Sequence, residues 1–114
     1  MAVFIKTEKA QELLALLKDK CNSDVPCGAR CGWLVDQDGD FVIGAEFEVA
    51  WLKPYVTDDA LVFGLIGRRD REMGCGTYAR YHSGMIDLVL THYDGLFSEA
   101  YATAKKDSRY DKFH

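Results

Sequence analysis

The sequence lacks any long apolar run. No stretch approaches the roughly 20 apolar residues that a membrane-spanning helix needs. The apolar residues at 1–5 are too few for the hydrophobic region of a secretion signal, and Lys6 interrupts them. We therefore expect a protein that has no membrane span and works in the cytoplasm.

Familiar catalytic signatures are missing as well. The chain has no Walker loop, no Rossmann glycine fingerprint, no serine nucleophile elbow and no HExxH zinc motif. Positive charge is in deficit, since 14 Lys and Arg face 18 Asp and Glu, for a net charge of −4. This balance disfavours direct binding to nucleic acid or to an anionic membrane.

The chain has the size and composition of one globular domain. The chain has 114 residues, of which 48% are hydrophobic and 28% are charged, and it shows no internal repeat. Residues 107–114 are polar and are expected to form a mobile tail. Residues 1–106 are then a single domain.

Two amphipathic helices are predicted. Apolar residues recur at helical spacing over 7–20, where Thr7 is a suitable N-cap: Ala10, Leu13, Leu14, Leu17 and Cys21. A second stripe begins after Thr77 and stops before Gly95: Tyr78, Tyr81, Met85, Leu88 and Val89. Inside this helix Gly84 predicts either a break or a close packing contact. A third, short helix is expected at 98–106.

Strand signals surround an Asp38-Gly39 pair. Asp-Gly between alternating apolar runs is a strong hairpin signal, which predicts strands at 31–36 and 41–51. Pro54 is expected to end the second strand. That strand is expected to bury one face: Phe41, Ile43, Ala45, Phe47, Val49 and Trp51.

Two further strands complete the predicted fold. The short apolar run at 3–5 suits an edge strand, and the compact apolar run at 60–66 suits a central strand. Amphipathic helices need a sheet face to cover. The expected fold is therefore an α+β two-layer sandwich, with a small antiparallel sheet of three to four strands and two main helices packed on one face.

Negative charge is concentrated on the predicted hairpin and the turn after it. Residues 35–60 carry one lysine, Lys53, and a net charge of −6, whereas the rest of the chain sums to +2. The acids are Asp36, Asp38, Asp40, Glu46, Glu48, Asp58 and Asp59. Such a cluster can steer a basic partner toward the protein, although it is also common on an ordinary solvated face.

Tyrosines extend this interpretation. Tyr93, Tyr101 and Tyr110 are candidates for contact with a partner, because tyrosine combines a large ring with a polar handle. We hypothesise a small protein-binding domain, an inhibitor or adaptor of the immunity-protein or phage anti-defence type, which engages a basic protein surface. The oligomeric state is left open.

A glycine-rich turn supports an alternative. Arg71-Glu72-Met73-Gly74-Cys75-Gly76 lies between a predicted strand and a predicted helix. Here the chain resembles the acyl-CoA N-acetyltransferase (GNAT) superfamily, and the hairpin over 32–49 resembles the one that precedes this turn in that family. The resemblance implies coenzyme A as cofactor, with Arg71, Gly74 and Gly76 at its pyrophosphate. The strand and helix that complete the acceptor site in that family have no counterpart after Gly95.

The cysteines allow two further hypotheses. Cys75 begins a predicted helix near several arginines, which favours the thiolate, and His82 or His92 is a candidate base for a cysteine nucleophile. A zinc-stabilised module is the other hypothesis, with Cys21, Cys27, Cys31 and Cys75 as ligands, although their spacing does not match paired zinc knuckles. Free thiols are the default expectation in the cytoplasm.

A calcium-binding loop is the last hypothesis for the acidic segment. The spacing Asp36-x-Asp38-x-Asp40 matches the start of an EF-hand loop. Its sixth position is Phe41 instead of glycine, and its twelfth is Phe47 instead of glutamate. A hairpin turn therefore explains the three aspartates better.

Overall fold

The fold is built from strands and helices in mixed order. The computed structural model describes residues 2–22, 32–43, 49–68, 70 and 72–112. Within them the elements are β1 (Val3–Lys6), α1 (Ala10–Asn22), β2 (Trp33–Val35), β3 (Phe41–Ile43), β4 (Ala50–Val56), β5 (Ala60–Gly67), α2 (Cys75–Tyr93), a 3₁₀ turn (Asp94–Leu96) and β6 (Glu99–Ala102). Neither of the two described helices is long and apolar enough to cross a membrane.

All six strands belong to one antiparallel sheet. Its order is β2-β3-β4-β5-β1-β6, so β5 is a central strand, as predicted. The predicted α+β class is confirmed, but the prediction of three to four strands is wrong. Two segments account for the difference: the expected strand at 41–51 is divided between β3 and β4, and the expected helix at 98–106 contains β6 instead.

The proline in β4 did not act as predicted. Pro54 was expected to end the strand, yet β4 continues to Val56 with Pro54 opposite Phe63 of β5. Among the described residues the ladder between β3 and β4 contains the single pair Phe41 and Leu52, so no described strand pairs with β4 on this side at Pro54. Proline is tolerated at such an edge position because no ladder hydrogen bond is lost there.

The main core lies between the sheet and the two helices. We call the covered side of the sheet the helix face; β5 contributes Leu61, Phe63 and Leu65 to it. Both predicted helical stripes are confirmed, since Leu13 and Leu17 of α1 are fully buried in this core, as are several stripe residues of α2. Gly84 makes the close contact foreseen for it, because a Cβ there would lie 3.2 Å from the Trp33 ring.

The division of the predicted strand at 41–51 into β3 and β4 also places Trp51 on the face opposite to the predicted one. Phe41 lies in the core as expected, and it pairs with Leu52, which is buried beside it. Neighbouring residues of a strand point to opposite faces. Trp51 therefore lies on the other side of the sheet, opposite Ile66, and its assignment to the inner face is wrong.

The opposite side, which we call the second face, carries a smaller apolar cluster. Its buried members are Ala2, Ala60 and Val62, with Phe4, Tyr55 and Tyr110 packed against them. Tyr110 reaches this cluster from the segment that follows β6. A Cβ on Gly64 would collide with the Tyr110 carbonyl. Only glycine at this position therefore allows the segment that carries Tyr110 to pack so close to β5.

The segment 107–112 belongs to the expected polar tail but is bonded to the sheet. β1 pairs with only the first half of β5, and beyond it Lys112 forms a parallel bridge with Ile66. The buried carboxylate of Asp111, 2% exposed, accepts hydrogen bonds from the backbone N–H of Leu65 at 2.8 Å and of Asp107 at 2.7 Å. Asp111 thus attaches this segment to the central strand.

Replacing Asp111 by alanine should lower the free energy of unfolding by about 2–3 kcal/mol, since two backbone donors lose their acceptor. Urea denaturation measures the change. Asp87→Ala, an exposed aspartate on α2, is the control and should stay within about 0.5 kcal/mol of the parent. Equal effects of the two substitutions would contradict the role given to Asp111.

Candidate functional site

The turn between β2 and β3 gathers three aspartates. The predicted hairpin is confirmed, since β2 and β3 pair antiparallel with Val35 opposite Phe41. Within the turn, Asp36 Oδ1 accepts hydrogen bonds from the backbone N–H of Asp38 at 2.9 Å and of Asp40 at 3.0 Å. Gly39 supplies the positive φ, 84°, that closes the turn.

The three side chains converge. One carboxylate oxygen from each of Asp36, Asp38 and Asp40 lies within 4.8 Å of the other two, and we call this group the acidic turn. Asp36 and Asp38 are exposed, whereas Asp40 is only 7% exposed. Burial, followed by the charge of Asp36, raises the pKa of Asp40 to about 6. A negative charge on Asp40 is therefore unfavourable in the free protein.

Two lysines partly offset this negative charge. The charges of Lys53 on β4 and Lys18 on α1 both act to lower the pKa of Asp40, but they are outweighed. The Lys18 ammonium lies over the turn, 3.2 Å from the position that a Cβ on Gly39 would take. The acidic turn keeps a deficit of positive charge despite these neighbours.

A second pair of candidate acids lies at the same end of the sheet. Asp58 and Asp59 are exposed in the turn between β4 and β5, where the Thr57 hydroxyl donates to Asp59 at 3.2 Å. Because Phe41 pairs with Leu52, the start of β3 faces the half of β4 that leads into this turn. Both turns therefore project in one direction. Glu46 and Glu48 lie outside the described residues.

The candidate tyrosines do not join the acidic turn. Tyr93 is half-buried, and its hydroxyl donates to the Leu16 carbonyl at 3.2 Å, which links the two helices. Tyr101 is 40% exposed, but it lies on β6, at the opposite edge of the sheet from β2. The structure therefore separates the tyrosines from the aspartates with which they were grouped.

The glycine turn before α2 is described only in part. Arg71 lies outside the described residues. Gly74 is the extended N-cap residue of α2, and Gly76 lies in its first turn, where a Cβ would be 3.2 Å from the Arg80 guanidinium. Cys75 is exposed at the start of the helix.

The histidines of α2 do not lie beside Cys75. His82 follows it by seven residues, which is about 10 Å along a helix axis, and His92 is farther away. The buried His82 ring bonds through Nδ1 to the Tyr78 carbonyl, and burial lowers the pKa of His82. Of the other proposed zinc ligands, Cys21 is buried in the core, while Cys27 and Cys31 lie outside the described residues.

The sequence reasoning missed a cavity of about 370 Å³ on the second face. Three rings line it, Phe4, Tyr101 and Tyr110, together with Lys6 and Arg109. One signal was present in the sequence: in β1 the outward residues, Phe4 and Lys6, alternate with the buried Val3 and Ile5. The contribution of Tyr110 and Arg109 could not be found this way, because no local pattern predicts where their segment docks.

Asp40→Asn should stabilise the protein at pH 8 by about 1–3 kcal/mol, because it removes the unfavourable charge. The folded-state pKa of about 6 exceeds the ordinary 3.8, so Asp40 weakens the fold as pH rises between these values. The advantage of asparagine should therefore shrink below pH 6 and vanish near pH 4. Urea denaturation at pH 4, 6 and 8 tests this, with Asp87→Asn, at an exposed position on α2 outside the acidic turn, as control. A pH-independent difference would contradict the assignment.

Comparison with known proteins found no match. No family model matches the chain, and no curated protein or solved structure does either. The acetyltransferase resemblance thus has no support beyond the residues of the turn that suggested it. Any function must follow from the chemistry of the chain's own residues.

Proposed function

We propose that the protein is a small protein-binding domain, an inhibitor or adaptor, whose acidic turn receives a lysine- or arginine-rich surface of its partner. The observation that carries the proposal is the convergence of Asp36, Asp38 and Asp40 together with the raised pKa of Asp40. In the free protein the three carboxylates lie beside two lysines, Lys18 and Lys53. A cationic side chain from a partner would supply further compensation.

Proton linkage connects the pKa to binding. A cation next to Asp40 favours the ionised carboxylate, so it lowers the pKa of this group below its free value of about 6. Partner binding is therefore expected to release a proton near this pH. Affinity should rise as pH increases from 5 to 7, and it should level off above that range.

The composition of the turn favours a partner side chain over a calcium ion. Calcium takes six to eight oxygen ligands. Two backbone N–H groups already use Asp36 Oδ1, which leaves fewer oxygen lone pairs in the turn for a metal ion. An arginine or lysine side chain needs only one or two carboxylates. Asp58 and Asp59, at the same end of the sheet, add long-range attraction for a basic surface.

The test is a titration with a hepta-arginine peptide, followed by backbone NMR. We expect shifts at the acidic turn and an affinity that grows from pH 5 to 7. The double variant Asp38→Asn/Asp40→Asn should weaken binding about tenfold and remove the pH dependence, since it removes two of the three carboxylates. Glu72→Gln/Asp87→Asn removes the same charge from exposed positions elsewhere and should change the affinity less than twofold.

Parallel titrations with calcium and magnesium chloride separate the alternatives. If either ion binds the acidic turn more tightly than the peptide does, the turn is a metal site and the proposal fails. Equal loss of peptide binding in the two double variants would show that only net charge matters, and it would also contradict the proposal.

A further inference from the structure

The cavity on the second face lies above small side chains of the central strand. Ala60 and Val62 of β5 form its floor, since alternate residues of this strand face away from the helices. Phe4 and Tyr101 stand beside them on β1 and β6, where they are direct neighbours in the register. Because Ala60 and Val62 are smaller than the aromatic residues around them, a space of about 370 Å³ remains above them.

The third wall comes from the docked segment that follows β6. The Tyr110 ring contacts the rings of Phe4 and Tyr55, and its carbonyl closely approaches Gly64. The bonds of Asp111 to β5 secure the same segment. The wall therefore belongs to the folded structure and does not need a ligand to form.

The rings are arranged to accept another planar ring. Phe4 and Tyr101 are stacked, with centroids 5.2 Å apart and planes 11° apart, while Tyr110 meets Phe4 edge-on at 5.8 Å. β6 is an edge strand of the sheet that the described residues form, and Tyr101 on it is 40% exposed. An aromatic ligand would find both a ring face and a ring edge to contact.

The charged groups that line the cavity are two cations, Lys6 and Arg109, and one anion, Asp59. Lys6 lines the cavity and is exposed. Arg109 is already engaged, because it pairs with Asp107 at 2.8 Å and lies over the Tyr110 ring at 5.1 Å from the centroid. Asp59 lies at the side of the cavity near Thr57. Lys6 is thus the cation available to an anionic group of a ligand.

We propose that this cavity is a binding site for a small planar aromatic anion, a ligand of nucleoside monophosphate size with one ring system and one anionic group. Its volume is within the range of about 300–1,000 Å³ that small-molecule sites occupy. The ring packs against Tyr101 and Tyr110 above Ala60, and the anionic group pairs with Lys6. The site is separate from the acidic turn and does not depend on the function proposed for it.

Two probes represent this class, adenosine 5′-monophosphate and indole-3-acetate. Isothermal titration calorimetry and NMR with the wild-type protein should detect binding of at least one, with shifts at Phe4, Tyr101 and Tyr110. Tyr101→Ala should weaken the binding about tenfold through lost stacking, and Tyr101→Leu, which keeps an apolar side chain, should weaken it to a similar extent. Lys6→Gln should weaken it about threefold to tenfold.

Matched controls test whether binding depends on the charge of Lys6 in particular and on both halves of the ligand. Lys20→Gln removes the same charge at the end of α1 and should leave the affinity unchanged. Adenosine and inorganic phosphate test the two halves of the ligand, and each should bind at least about tenfold more weakly than adenosine 5′-monophosphate, if that is the probe that binds. The proposal is overturned if neither probe binds, if one half binds as tightly as the whole, or if the Tyr101 and Lys6 variants bind like the wild type. These outcomes are independent of the peptide titration of the acidic turn.

Discussion

The buried hydroxyl of Tyr81 is the interaction on which the arrangement of helices and sheet depends. Its ring is fully buried beneath Trp33, and its oxygen donates to the Ala50 carbonyl while it accepts the Ile43 N–H at 3.2 Å. One side chain of α2 thus joins β3 to β4, which otherwise share a single register pair. The same bonds satisfy polar groups that would be costly to bury alone. Through them α2 determines the position of β3, and β3 carries the acidic turn.

The sheet keeps its two candidate sites apart. The acidic turn lies between β2 and β3 at one edge, and the aromatic cavity lies toward β6 at the other. Their chemistry differs as well, since the turn gathers three carboxylates, whereas the cavity offers Lys6 beside stacked rings. A total charge of −4 describes neither place. The distribution of charged groups over the folded surface therefore informs function more than their sum.

The elements that depend on neighbouring residues in the sequence were predicted correctly. The helical stripes and the Asp38-Gly39 hairpin followed from side-chain period and turn geometry, and both are present. β6 was missed because Glu99–Ala102 has no apolar alternation and becomes a strand only by pairing with β1. The extent of β4 was misjudged because the effect of Pro54 depends on whether a neighbouring strand needs its N–H. In the candidate site, three aspartates could be foreseen, but the burial of Asp40 could not.

The place of β1 in the sheet has a consequence for how the chain folds. β1 lies between β5 and β6, and its residue Val3 pairs with Phe63 on one side and Ala102 on the other. These partners are about 60 and 100 residues away along the chain, and closing such long loops is entropically unfavourable before the contacts form. Folding rate falls as contacting residues become more distant in sequence. This domain should therefore fold more slowly than a helical bundle of the same length, and the pairings of β1 with β5 and β6 should be among the last contacts to form.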